Sequence, residues 1–156
     1  MKIHILDKTK KKKIIEKVSY LGIQKIPYML IQTGVEKFRI FSGNFSNPEI
    51  MKVYYSLPIE GVGLYFGKAA GEDIRLSVDA LHILKNQINK NIMEVNNKQE
   101  EEWFLGRDIE LTDEQMNLKL RGFVAVKSGE DFIGTGKIHG DGKIISNFLP
   151  KERRKH

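Results

Sequence analysis

No cysteine occurs among the 156 residues. Disulfides and thiolate metal sites are therefore excluded, and nothing calls for an oxidising compartment. Long apolar runs are missing too. None approaches the roughly 18 residues needed to cross a bilayer, and the opening run Ile3 to Leu6 is too short for a secretory signal. A cytoplasmic protein that does not enter a membrane is expected. The four histidines, His4, His82, His139 and His156, lie scattered without metal-ligand spacing, so neither a metal nor another cofactor is expected.

Catalytic patterns are equally scarce. Gly134-Thr135-Gly136-Lys137 has neither the upstream glycine nor the following hydroxyl residue of a phosphate-binding loop, and Gly140 falls one place beyond the dinucleotide pattern. These glycines instead mark a strand that another backbone or a ligand approaches closely, and the sequence leaves both readings open. Glu100-Glu101-Glu102 precedes an aromatic pair and reads as a solvated edge rather than as paired catalytic acids. No nucleophile and base pair stands out, so a non-enzymatic protein is expected.

What the chain does have is charge at both ends. Residues 1 to 25 hold eight Lys and Arg against two acids, a net +6, and residues 119 to 156 hold nine against four, a net +5. Residues 26 to 72 are neutral, and residues 73 to 118 hold five against ten, a net −5. Basic ends around an acidic middle suit a polyanionic partner better than general solubility does.

The run Lys10 to Lys13 leads into Ile14, Ile15, Val18 and Leu21, a helical apolar stripe closed by Gly22. Its lysines form either the wet face of that helix or part of a nucleic-acid footprint. Tyr28 to Gln32 and Lys37 to Phe41, separated by Thr33-Gly34, predict a hairpin. Asn47 with Pro48 predicts a short helix start, and Val62 to Phe66 a strand ending at Gly67-Lys68. Ser77 caps a predicted helix carrying Ala80, Leu81, Leu84 and Ile88. Short β-leaning runs follow at 91–95, 121–127, 132–137 and 143–148, with tight turns that suggest a small barrel. The expected fold is α+β, an N-terminal α/β domain over residues 1–71 followed by a β pseudo-barrel over residues 72–156.

Two stretches of the second half combine the features of a basic groove. In Trp103-Phe104-Leu105-Gly106-Arg107-Asp108, Gly106 permits close approach and Arg107 stands beside it to meet a phosphate; alternatively the aromatics plug a barrel end and Arg107 pairs with Asp108. The tail Phe148-Leu149-Pro150-Lys151-Glu152-Arg153-Arg154-Lys155 couples an apolar anchor to a cationic run that can neutralise several phosphates, or it frays.

These residues bring the chain close to a known family. Lys37-Phe38-Arg39-Ile40, Glu49-Ile50-Met51-Lys52, Gly63-Leu64-Tyr65-Phe66-Gly67-Lys68, Ile74-Arg75-Leu76 and Val78-Asp79-Ala80-Leu81 resemble, in order and spacing, the NIP-seven family of large-subunit ribosome-biogenesis factors, and most closely an archaeal member. Trp103 to Asp108, Gly122 to Val126 and Ile133 to Lys137 are similar to the PUA domain that ends those proteins. The resemblance implies a pre-PUA domain packed on a PUA pseudo-barrel, RNA binding by the latter, and a role in pre-rRNA processing and subunit assembly. Its implied partners are rRNA or tRNA, together with assembly or RNA-modification proteins. The ending Asn147 to Arg154 resembles equally the PUA modules attached to RNA cytosine methyltransferases, which implies a detached module or adaptor assisting such an enzyme. The expected RNA contacts are Gly106, Arg107, Lys137, Lys143, Lys151, Arg153, Arg154 and Lys155.

Overall fold

The computed structural model describes residues 3–41 and 63–155. The helix expected from Asn47, and with it Glu49 to Lys52, lies outside the described residues.

The first helix, α1 (Lys8–Val18), starts where the Asp7 carboxylate accepts the Lys10 amide at 2.9 Å, and a further helical turn ends at Gly22, whose φ of 93° suits glycine. Its apolar stripe buries Ile14, Val18 and Leu21 against a five-stranded antiparallel sheet. That sheet orders β1 (Ile3–Ile5), β2 (Met29–Thr33), β3 (Lys37–Phe41), β4 (Leu64–Ala70) and β5 (Asp73–Leu76) side by side. The hairpin β2–β3 follows the sequence pattern. β4 continues through Gly67 and Lys68, where the sequence suggested an end, because Lys37 and Arg75 pair with Lys68 on either side. The sheet runs on to Leu76, past the junction expected after residue 71. Of the lysine run, Lys10, Lys12 and Lys13 stay on the wet side or near it. Lys11 donates from Nζ to the Tyr28 carbonyl at 2.7 Å, and its burial lowers its pKa.

A second sheet orders β6 (Ile92–Glu94), β8 (Gly122–Ser128), β9 (Asp131–Ile138), β10 (Ile144–Asn147) and β7 (Ile109–Glu110). The β6–β8 pair is parallel and the others are antiparallel. The sheet curls around Met93, Trp103, Val124, Val126, Ile133 and Ile145. Two helices not anticipated from the sequence support it, α3 (Asn97–Phe104) and α4 (Asp113–Asn117). Both begin with reciprocal capping boxes, Asn96 with Gln99 and Thr112 with Gln115. Gln99 and Gln115 also exchange side-chain hydrogen bonds at 2.8 and 2.9 Å, which satisfies the buried Gln99 amide.

Helix α2 (Val78–Ile83) lies between the sheets, capped by Ser77 as expected but shorter than the apolar spacing suggested. Leu84 and Ile88 fall beyond its end and are nonetheless buried. The first core extends across the join to Ala125 and Phe132, and the Thr135 hydroxyl donates to the Leu76 carbonyl at 2.8 Å. The Tyr20 hydroxyl donates to the Ile74 carbonyl at 2.9 Å; its burial and the neighbouring Asp73 charge raise its pKa.

The glycines of β9 answer one question the sequence left open. A Cβ on Gly134, whose φ is 147°, would lie 2.8 Å from the Trp103 ring, and one on Gly136 would overlap Ile145. The close approach is therefore made by the barrel's own core. Replacing Gly134 with Ala is expected to cost about 2 kcal/mol through overpacking and strain, read as a lower urea midpoint at unchanged m-value.

Candidate nucleic-acid interface

Trp103 is fully buried near the end of α3, and its indole donates to the Ile133 carbonyl at 2.8 Å. Fixing that ring fixes the helix C-terminus and hence the turn that follows. Gly106 closes the helix in the left-handed region, at φ 81°, with its amide bonded to the Trp103 carbonyl. Arg107 then points back along the helix and pairs with Glu102 at 3.2 Å, rather than with Asp108. The Asp108 carboxylate accepts the Asn147 amide at 3.0 Å instead.

Asn147, which sequence reasoning passed over, joins this turn to the tail. Its side-chain amide donates to the Trp103 and Arg107 carbonyls, each at 2.8 Å, and its side-chain oxygen accepts the Leu149 amide at 2.8 Å. An Asn at the end of a strand gives no periodic signal, and only the folded turn shows why it is needed. Beyond it Leu149 is 2% exposed, so the tail is docked. The Lys155 amide donates to the Phe104 carbonyl at 2.7 Å, and its ammonium lies 5.4 Å from the Phe104 ring centroid. Arg154 donates from Nε to the Leu149 carbonyl at 3.0 Å and lies over Gly106, where a Cβ would come within 2.7 Å of it. The approach that Gly106 permits is thus taken by Arg154. Cations gathered at a helix C-terminus also complement its dipole.

The remaining expected contacts are more dispersed. Arg153 reaches across to Asp79 on α2 at 2.9 Å, while Lys151 is exposed. Lys137 is exposed on β9, its ammonium 5.4 Å from the Phe123 ring centroid. Lys143 lies beside Asp141 in the β9–β10 turn, and its carbonyl accepts the Leu111 amide. It stands at the other end of the β7–β10 ladder from Asn147, about 13 Å away by strand rise. The structure therefore unites Gly106, Arg107, Arg154 and Lys155, and separates Lys143 from them. A cavity of about 470 Å³ beside the turn is lined by Glu102, Asp108 and Glu110 with Lys98, so its field disfavours phosphate. Among the described residues no group of three or more potential ligands is placed to hold a metal, and no helix is long and apolar enough to cross a membrane.

Residues 90–155 match the family model for the PUA domain of the RsmF methyltransferase. The solved structure of a conserved PUA domain protein from Thermoplasma acidophilum superposes with a TM-score of 0.61 at 19% identity, covering 97% of each chain. No curated protein matches the sequence. The α+β fold is that of a PUA domain protein, and the curled second sheet corresponds to the PUA domain.

Replacing Asn147 with Ala removes the bonds that join turn and tail. The expected outcome is a loss of about 2 kcal/mol and faster hydrogen exchange at the Leu149 and Lys155 amides than in the parent.

Proposed function

We propose that this protein binds RNA without performing chemistry on it, through the surface formed by the Gly106–Arg107 turn and the docked tail. The observation that carries the reading is the seating of Arg154 and Lys155 against the end of α3, beside Arg107. A free tail loses conformational entropy when it binds; a docked one presents its cations already ordered. Arg107 and Arg153 have carboxylate partners, but exposed pairs of this kind are worth only about 0–1 kcal/mol, so exchanging Glu102 or Asp79 for a phosphate costs little. Such contacts position an RNA more than they read its sequence. Lys137 and Lys143 would extend the footprint along the second sheet. The PUA match over residues 90–155 supports the same reading.

The finer role proposed is that of an assembly factor in pre-rRNA processing and large-subunit biogenesis, acting in the cytoplasm with other assembly proteins. Its support is the ordered resemblance to the NIP-seven family, which runs through both halves of the chain. On that reading the unit built on the first sheet, through Leu76, is the pre-PUA domain and the second sheet with its helices is the RNA-binding domain, so the junction expected after residue 71 moves beyond β5. A second reading is favoured by the RsmF match: the chain is an adaptor or detached module that recruits or assists an RNA-modifying enzyme such as a cytosine methyltransferase. Addition in trans to such an enzyme would then stimulate its activity.

The test is RNA affinity against salt for the whole chain and for a variant with Lys151, Arg153, Arg154 and Lys155 changed to Ala. At about 0.7 per phosphate for single strands, the logarithmic salt slope is expected to become shallower by up to about 3. The bound RNA should be recovered unchanged in mass. An unchanged slope in the variant would remove the tail from the interface, and absence of binding at low salt would reject RNA binding altogether.

A further inference from the structure

The outer face of the first sheet carries cations that the turn and tail do not account for, in a row that meets the start of the tail at Phe148. Lys37 on β3 pairs with Lys68 on β4, and Lys68 pairs with Arg75 on β5. Their neighbours Phe38, Ile74 and Leu76 are buried in the core, so the alternation of strands places all three cations on the opposite face. Like charges directly opposite each other on adjacent strands destabilise a sheet. Glu36 offsets part of this by pairing with Lys68 at 3.3 Å. An irregularity between Phe38 and Arg39 brings Tyr65 opposite Arg39, on this same face, while Phe66 enters the core.

The row does not stop at the sheet edge. The Arg75 guanidinium lies 4.4 Å from the centroid of the Phe148 ring, which belongs to the second half of the chain. Phe148 is followed by Phe123 at 6.2 Å between centroids, and Lys137 stands 5.4 Å from the Phe123 ring. Lys37, Lys68, Arg75, Phe148, Phe123 and Lys137 thus form one band that crosses from one sheet to the other. Where the sheets meet, Tyr65, Arg75 and Phe148 line a cleft of about 290 Å³ together with Gly134 and Thr135. At its tail side stand Glu152 and the Asp79–Arg153 pair, whose carboxylates suit a neutral base there better than a phosphate. Arg75, Tyr65 and Phe148 are each half-buried, and Lys37 and Lys137 are exposed.

The geometry points to this band as a track for single-stranded RNA, with phosphates along Lys37 and Lys68 and an unstacked base in the cleft against Tyr65 and the Arg75 guanidinium. Three chemical features favour that ligand. Cations about 5 Å apart on neighbouring strands follow a backbone rather than a point charge. Arginine and tyrosine planes offer stacking that any base accepts and a plain polyanion cannot use. A duplex keeps its bases stacked and cannot reach the cleft. The inference rests on the RNA-binding reading and adds to it the first sheet and a preference for single strands. A protein ligand with acidic side chains would use the cations but not the planes, which is the competing outcome.

The experiment compares a short oligouridylate with a blunt RNA duplex of equal length, on the whole chain. Lys37→Ala with Lys68→Ala should weaken oligouridylate binding about tenfold at low salt and flatten its salt slope by about 1.4, for two phosphates. Arg75→Lys keeps the charge but loses the plane, so it should weaken oligouridylate severalfold with the slope unchanged and leave the duplex unaffected. Tyr65→Leu, which leaves the Arg75 and Phe148 contact in place, should do the same. Unfolding midpoints report whether any variant has lost its fold, and Tyr65→Leu decides the matter if Arg75→Lys has. The proposal is overturned if these variants bind oligouridylate like the parent while the tail variant does not, a result that leaves the tail interface standing. It is also overturned if single strand and duplex weaken equally, or if polyaspartate competes as well as oligouridylate.

Discussion

The burial of one indole governs the C-terminal half. Trp103 needs room in a small curled sheet, and Gly134 and Gly136 provide it by having no side chain where the ring lies. The carbonyl of Ile133 satisfies its N–H, so the ring is held in one place rather than merely enclosed. Because Trp103 lies in the last turn of α3, the helix ends where the barrel dictates, and the turn at Gly106 is set with it. The tail docks on that turn through Asn147, Leu149 and Arg154, and the surface chemistry of this half follows from core packing.

The same dependence explains how the cations are used. Arg154 has its Nε bonded to a carbonyl and its stem on a glycine, while Arg107 and Arg153 lean on single carboxylates at the surface. Ordered cations near weak, exchangeable partners suit a surface that meets a polyanion and releases it as salt rises. The acidic middle of the sequence supplies those carboxylate partners, and three of its acids, Glu102, Asp108 and Glu110, also line the cavity beside the turn, which leaves that side repulsive to phosphate.

Much of the fold was legible because its strongest signals are local. The stripe from Ile14 to Leu21, the β2–β3 hairpin, the Ser77 cap and the turns around β8, β9 and β10 all announce themselves by spacing and turn chemistry. The elements that escaped, β1, β5, β7, α3 and α4, are mostly very short, and partners distant in sequence hold them: β7 exists because β10 pairs with it, and α3 because Trp103 has a barrel to fill. The acids Glu100 to Glu102 read as a solvated edge and lie on α3, where Glu101 is exposed and Glu100 and Glu102 are half-buried. For the candidate site, Gly106 and the tail were visible as types, but their contact, the pairing of Arg107 with Glu102 and the bridging role of Asn147 depend on long-range geometry. Arg75, Phe148 and Phe123 lie far apart in sequence, and no pattern in the chain could have joined them.

The central claim is that RNA lies on the turn and docked tail. Photocross-linking of thiouridine-bearing RNA to the whole chain, followed by mass spectrometric mapping of the adducts, tests it most directly. Adducts are expected at Phe104 and within Lys151 to Lys155, the segment seated on the turn. Adducts confined to the helix carrying Lys10 to Lys13 would contradict it.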